Sequence, residues 1–153
     1  MTTMCKVYIL QRHREEYCGP PLHWSIFVQT DLVTGQGELH QVMHRPGIGW
    51  RYESLPVTRP GGTGYSRGTL EAGGVCQMKL YEVRRILKRV TVAEQSGWTS
   101  QLWVAEALAN LKNAGLLATR IPIRDLGIEM ERLRLLTGRL KERELMLALF
   151  GIE

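Results

Sequence analysis

The chain has 153 residues, of which 44% are hydrophobic and 23% charged, a balance that suits one globular domain with its own core over residues 1–153. No apolar run approaches the roughly 20 residues that a membrane-spanning helix needs, and the opening "MTTMCKVYIL" lacks the basic region of a secretory signal. The net charge of +5 lies largely in "RRILKR" (84–89) and "RLRLLTGRLKER" (132–143), but Glu82, Glu129, Glu131, Glu142 and Glu144 are interleaved at helical spacings and no base-stacking motif accompanies them, which argues for a solvated face and against a nucleic-acid interface.

In chain order, "CKVYILQ" reads as a buried strand and "RHREEYCGPPL" as a polar loop closed by Pro20 and Pro21. "HWSIFVQT" alternates, with Trp24, Ile26 and Val28 on one face and His23, Ser25, Phe27 and Gln29 on the other. "DLVTGQG" marks a turn, "ELHQVMH" the returning strand of a hairpin, and "GIGWRYESLPV" a further strand. Six glycines between Thr58 and Gly74 predict an irregular, mobile surface loop. "GGTGYSRG" has the wrong spacing and context for a phosphate cradle.

"VCQMKLYEV" reads as a strand and "RRILKRV" as a short helix. A longer helix is predicted from about Thr99 to Asn113, ending near Gly115. From Arg124, Leu126, Met130, Leu133, Leu136 and Leu140 recur at three- and four-residue steps, predicting an amphipathic C-terminal helical segment over residues 124–153 with a break near Thr137-Gly138. Strands first and helices later imply an α+β fold, an antiparallel sheet followed by packed helices. Three cysteines, Cys5, Cys18 and Cys76, with no C-x-x-C pair argue for a reducing, cytoplasmic setting and against disulfides or a zinc knuckle. His40 and His44 are poorly spaced for chelation on a strand, so no metal and no other cofactor is expected.

Two histidines, His23 and His40, stand on neighbouring antiparallel strands, and whether they meet depends on register. If paired positions sum to an odd number they share a face, and if to an even number they lie on opposite faces. The order "LHWSIFV … GELHQV … GWTSQLWVAEALANL" resembles an uncharacterised family of small fungal proteins, which in turn looks like the permuted papain-like superfamily that includes lecithin retinol acyltransferase. The resemblance implies a cleft in which His23 is the base, His40 its orienting partner, and Ser100 stands where that superfamily keeps a nucleophilic cysteine. Thr99 replaces the preceding asparagine, while Trp98, Trp103 and Val104 keep the surrounding pattern.

Serine at that place changes the chemistry. A helix N-terminus activates a cysteine by stabilising its thiolate, but serine keeps its proton unless a positioned base removes it. Three readings stay open: a binding pocket whose chemistry is lost, a serine acyl hydrolase or transferase, or an isomerase, cyclase or lyase in which the histidines move protons and Ser100 only hydrogen-bonds. The third would suit an apolar small molecule such as a fungal specialised metabolite. Ser100 is also well suited to helix capping, although Thr99 alone could fill that place. Trp50, Tyr52, Trp98 and Thr99 are the expected substrate-contacting residues, with Glu53 as a nearby acid. The oligomeric state, including a homo-oligomer, is left open.

Overall fold

The computed structural model describes residues 3–13, 22–58, 66–93 and 97–150, the last stretch with side chains to residue 138. Five strands come first: β1 (Met4–Arg12), β2 (His23–Gln29), β3 (Gly37–Arg45), β4 (Gly49–Val57) and β5 (Ser66–Cys76). Helices α1 (Leu80–Arg89) and α2 (Ser100–Asn113) follow, then a short β6 (Leu117–Thr119) and helix α3 (Leu126–Phe150). The strands form one sheet in the order β4-β3-β2-β1-β5-β6, with every neighbouring pair antiparallel. The α+β class and the antiparallel sheet are those expected from the sequence.

Register sorts the side chains. Val7 pairs with Val28, Ile9 with Ile26 and Gln11 with Trp24 across β1 and β2, and Ile26 continues to His40 on β3. Val42 then pairs with Tyr52 and His44 with Trp50. Because side chains alternate along a strand, all of these residues share one face of the sheet. That face packs under the helices. Its Val7, Ile9, Trp24, Ile26, Val28 and Val42 join one buried cluster with Val83 and Leu87 of α1, the Trp103-Val104 and Ala107-Leu108 pairs of α2, and Leu126 and Met130 of α3. Each large apolar side chain so buried contributes about 1.5–3 kcal/mol. The opposite face is not simply solvated, since Phe27 is fully buried there against Tyr8.

Local chemistry sets the element ends. In the β2–β3 turn the Asp31 carboxylate accepts the backbone N–H groups of Val33 and Thr34, and Gly35 takes a positive φ of 79°. Helix α2 ends in a Schellman arrangement: Gly115 has a φ of 73°, its N–H reaches the Lys112 carbonyl, and Leu116 N–H reaches the Leu111 carbonyl.

Several expectations are corrected. The glycine-rich stretch is not a loop over its second half, because Ser66–Cys76 is the strand between β1 and β6. Its glycines serve close packing: a Cβ on Gly73 would run into the Ala118 carbonyl of β6, and one on Gly68 would meet Leu133 of α3 at 2.9 Å. The pairing with β1 shifts register twice, as glycine-bearing bulges do. Residues 59–65 of that stretch lie outside the described residues, as do residues 14–21 of the expected polar loop. "VCQMKLYEV" holds only the end of β5; a 3₁₀ turn at Gln77–Lys79 leads into α1, which begins four residues before the expected "RRILKRV". Helix α3 runs unbroken past Thr137-Gly138, where the Thr137 hydroxyl donates to the Leu133 carbonyl one turn back. Its stripe is narrower than expected, as Met130 is buried but Leu136 is exposed. Finally, β6 was not anticipated; three residues carry too little periodicity to be read. Cys5 and Cys76 are free thiols.

Candidate active site

The start of α2 is tied to the start of β2. Thr99 occupies the cap position with an extended backbone, and its carbonyl accepts the Trp103 N–H at 3.3 Å, but its side chain makes no capping bond. Ser100 is the first helical residue, fully buried, and its hydroxyl oxygen accepts the backbone N–H of Trp24 at 3.1 Å. Ser100 therefore stitches helix to strand instead of capping its own helix. The Gln101 carboxamide adds a second stitch by donating to the Leu22 carbonyl at 3.0 Å.

His23 and His40 do not meet. Paired positions on β2 and β3 sum to an even number, as in Ile26 with His40, and neither strand carries a bulge. The two imidazoles therefore lie on opposite faces of the sheet. The expected role of His40 as orienting partner of His23 is corrected: that place belongs to Gln41.

On one face, His23 Nε2 lies 2.9 Å from Gln41 Oε1, and Gln41 Nε2 donates to Glu53 Oε1 at 2.7 Å. Arg45 stands 3.7 Å from the other Glu53 oxygen. The carboxylate can only accept, so it fixes the orientation of the amide, and the amide oxygen then requires a donor from His23. His23 accordingly carries its proton on Nε2 when neutral, which leaves Nδ1 as the nitrogen with the lone pair. His23 and Gln41 are both buried. Sequence reading misses Gln41 because an amide next to a histidine carries no signal until register is known; the half-buried acid Glu53 is singled out there, though not for this role.

On the helix-facing side, His40 Nδ1 lies 2.7 Å from the Tyr52 hydroxyl, and its Nε2 lies 3.5 Å from Glu38. Arg84 of α1 grips the same carboxylate through both Nε and Nη2. The His40 imidazole and then the Arg84 guanidinium hold the Glu38 carboxyl down at about 2. Burial, reinforced by the Glu38 charge, pushes the Tyr52 phenol up, against a hydrogen bond from Ser54 that lowers it. With Glu38 accepting from Nε2, His40 Nδ1 accepts the Tyr52 proton, so this is a second complete chain: Tyr52, His40, Glu38, Arg84.

The aromatic residues expected to line a pocket with His23 are on the His40 side of the sheet. Trp50 and Trp98 pack edge to face with ring centroids 5.3 Å apart, and Tyr52 lies against Trp103 at 6.0 Å. They pack against the buried core between sheet and helices, so Trp50, Tyr52 and Trp98 are across the sheet from the imidazole they were grouped with. Trp24 satisfies its indole N–H on Gln11, whose amide in turn donates to the carbonyls of Arg67 and Met130. The Trp103 indole N–H is buried without a hydrogen-bond partner among the described residues. Among those residues, too, no group of three or more His, Cys, Asp or Glu is placed to hold a metal ion, and no helix is long and apolar enough to cross a membrane.

No curated protein and no solved structure matches the chain. Residues 7–118, which run from β1 into β6 and include all the residues of both hydrogen-bonded chains, match the model of a family described as "Family of unknown function (DUF6540)", and the protein belongs to that family.

Proposed function

We propose that the protein is a small-molecule enzyme on a degenerate permuted papain-like scaffold, working by acid–base proton transfer as an isomerase, cyclase or lyase on a largely apolar substrate. A fungal specialised metabolite fits that description. The observation that carries the reading is the Glu53–Gln41–His23 chain. It fixes the imidazole tautomer with the lone pair on Nδ1, the atom that acts as the base in this reading. When His23 takes a proton from a substrate carbon, the new positive charge is offset through the Nε2 hydrogen bond by the amide dipole and the Glu53 carboxylate. After exchange of the imidazolium proton with solvent, His23 returns a proton to a different atom of the substrate, so the reaction needs no net oxidant or co-reactant.

Ser100 has a supporting part in this scheme. Its oxygen accepts the Trp24 N–H, which holds the buried hydroxyl against the start of β2, and in this reading its proton goes to a hydrogen bond with a substrate oxygen. The start of α2 and the Trp24 N–H favour an anion at this oxygen, but serine lacks the thiol's ready ionisation and still needs a positioned base. Leu10, Leu39 and Met43 share the sheet face of His23, are only partly buried, and offer an apolar surface beside it.

The test is deuterium incorporation from D₂O, read by mass spectrometry, into a library of apolar ketones, polyketides and terpenoids, with wild type and two variants. His23→Ala should lower exchange or conversion by about 10²–10⁴-fold, and Ser100→Ala by roughly 10-fold. Equal and near-complete loss in both variants would replace this reading with a serine acyl enzyme, since members of a triad act as a unit. Binding of a ligand with no exchange or conversion would make the protein a binding protein.

A further inference from the structure

A second site lies away from both histidines, in the groove between α1 and α2 towards their C-terminal ends. Arg85, Ile86 and Arg89 of α1 and Asn110 and Asn113 of α2 line an open groove of about 310 Å³. Arg85 and Arg89 are four residues apart and Asn110 and Asn113 three apart, so each pair sits on one face of its helix. Ile86 is half-buried against the core and forms an apolar floor.

The two arginines stand without a neutralising carboxylate among the described residues, unlike several others in the protein. Arg84 is paired with Glu38, Arg120 with Glu71, Arg132 with Glu129 and Arg134 with Glu131. Among the described residues, Arg85 and Arg89 have no carboxylate partner, and they repel each other at i,i+4 spacing. Favourable interaction with the helix dipole accounts for a cation such as Arg89 in the last turn of α1, but not for Arg85 a full turn earlier. Glu106, the carboxylate preceding Asn110 on α2 by one turn, is not part of the lining.

We infer that this groove binds the phosphate group of a phosphorylated small molecule. Two guanidiniums carry two positive charges, matching the charge of about −1.5 to −2 on a phosphate monoester at neutral pH. Each guanidinium presents a planar fork suited to two phosphate oxygens, and the carboxamides add donors for a third and acceptors for a neighbouring hydroxyl. The volume lies at the lower end of the roughly 300–1,000 Å³ typical of small-ligand pockets. It admits a phosphate with a compact apolar body resting on Ile86, and the arginines stand on one short helix instead of a stripe long enough to track a nucleic-acid backbone. The proposal is independent of the chemistry assigned to His23.

The test uses the full-length chain at low ionic strength, titrated with phenyl phosphate, inorganic phosphate and a short DNA duplex by calorimetry and by NMR of side-chain amides and guanidiniums. Phenyl phosphate should bind saturably and more tightly than inorganic phosphate, shifting the Arg85 and Arg89 Nε–H and the Asn110 and Asn113 carboxamide signals. Arg85→Gln and Arg89→Gln should each weaken it roughly 10-fold or more, as expected for loss of a charge-assisted hydrogen bond, whereas Arg132→Gln should leave it unchanged. All these side chains are exposed, and thermal melts of the variants report whether they remain folded. The inference is overturned by the absence of saturable binding, by equal weakening in Arg132→Gln, by inorganic phosphate binding as tightly as phenyl phosphate, or by the duplex outcompeting both.

Discussion

Glu38 offers the sharpest test of the electrostatics around His40. Its carboxylate accepts from the His40 imidazole and the Arg84 guanidinium, and its pKa falls from 4.5 to about 2. At about 1.36 kcal/mol for each pH unit, that fall corresponds to roughly 3 kcal/mol of stability. The Arg84 side chain is 49% exposed, so solvent screens its share and about 2 kcal/mol is the better expectation. Since the folded-state pKa lies below the unfolded value, this stabilisation is complete above about pH 5 and is lost as pH falls through 4.5 towards 2. Replacing Glu38 with Gln keeps the shape and removes the charge. Urea unfolding of wild type and Glu38→Gln at intervals from pH 7 to pH 2 should show the variant less stable by about 2 kcal/mol at neutral pH, with the gap closing through the acid window. Other carboxylates titrate in both proteins and cancel in the difference. A gap that stays constant with pH would refute the reasoning.

Ser100→Ala leaves the buried Trp24 N–H without its acceptor, and denaturant unfolding should show a loss of about 1–3 kcal/mol whatever happens to activity. Gly73→Ala forces a methyl group against the Ala118 carbonyl, so the thermal midpoint should fall and hydrogen exchange should accelerate first in Leu117–Thr119. Leu108→Ala, which empties a fully packed position on α2, should cost about 2–5 kcal/mol in the same unfolding assay. Val33→Thr, at an exposed turn position, should change stability by less than about 0.5 kcal/mol.

Much of the fold was legible because strong periodicity survives any tertiary context. The alternation of Trp24, Ile26 and Val28 falls on the core as read, and the helix expected from about Thr99 to Asn113 forms over Ser100–Asn113. The failures share a cause: they lie where long-range packing sets the local conformation. Glycines at 68 and 73 looked like loop residues because their function, admitting Leu133 and the Ala118 carbonyl, depends on partners distant in sequence. Lys79 to Val83 sit in a segment with mixed strand and helix preference, and the exposed Tyr81 gives no clue to which face is buried. In the candidate site, the residue types were legible but their grouping was not. His23 was read as a base, and the amide that orients it was overlooked.

That grouping rests on a single structural parameter. Along β3 the order Glu38, Leu39, His40, Gln41 alternates between faces, and along β4 Tyr52 and Glu53 do the same, so two hydrogen-bonded chains stand back to back across one sheet. A shift of one residue in the β2–β3 pairing would exchange them, bringing His40 beside His23 and sending Gln41 towards the helices. The turn opposes that shift. Gly37 is the first residue of β3, opposite Gln29, and a Cβ there would collide with the Val28 carbonyl. Only glycine fits at this register, and moving Gln36 or Glu38 into its place would bring a side chain against that backbone. The hairpin's closure therefore selects which polar residue reaches His23. The amide it selects, unlike an imidazole, does not change charge with pH, so the tautomer of His23 is set by Glu53 through a relay that stays neutral in its middle.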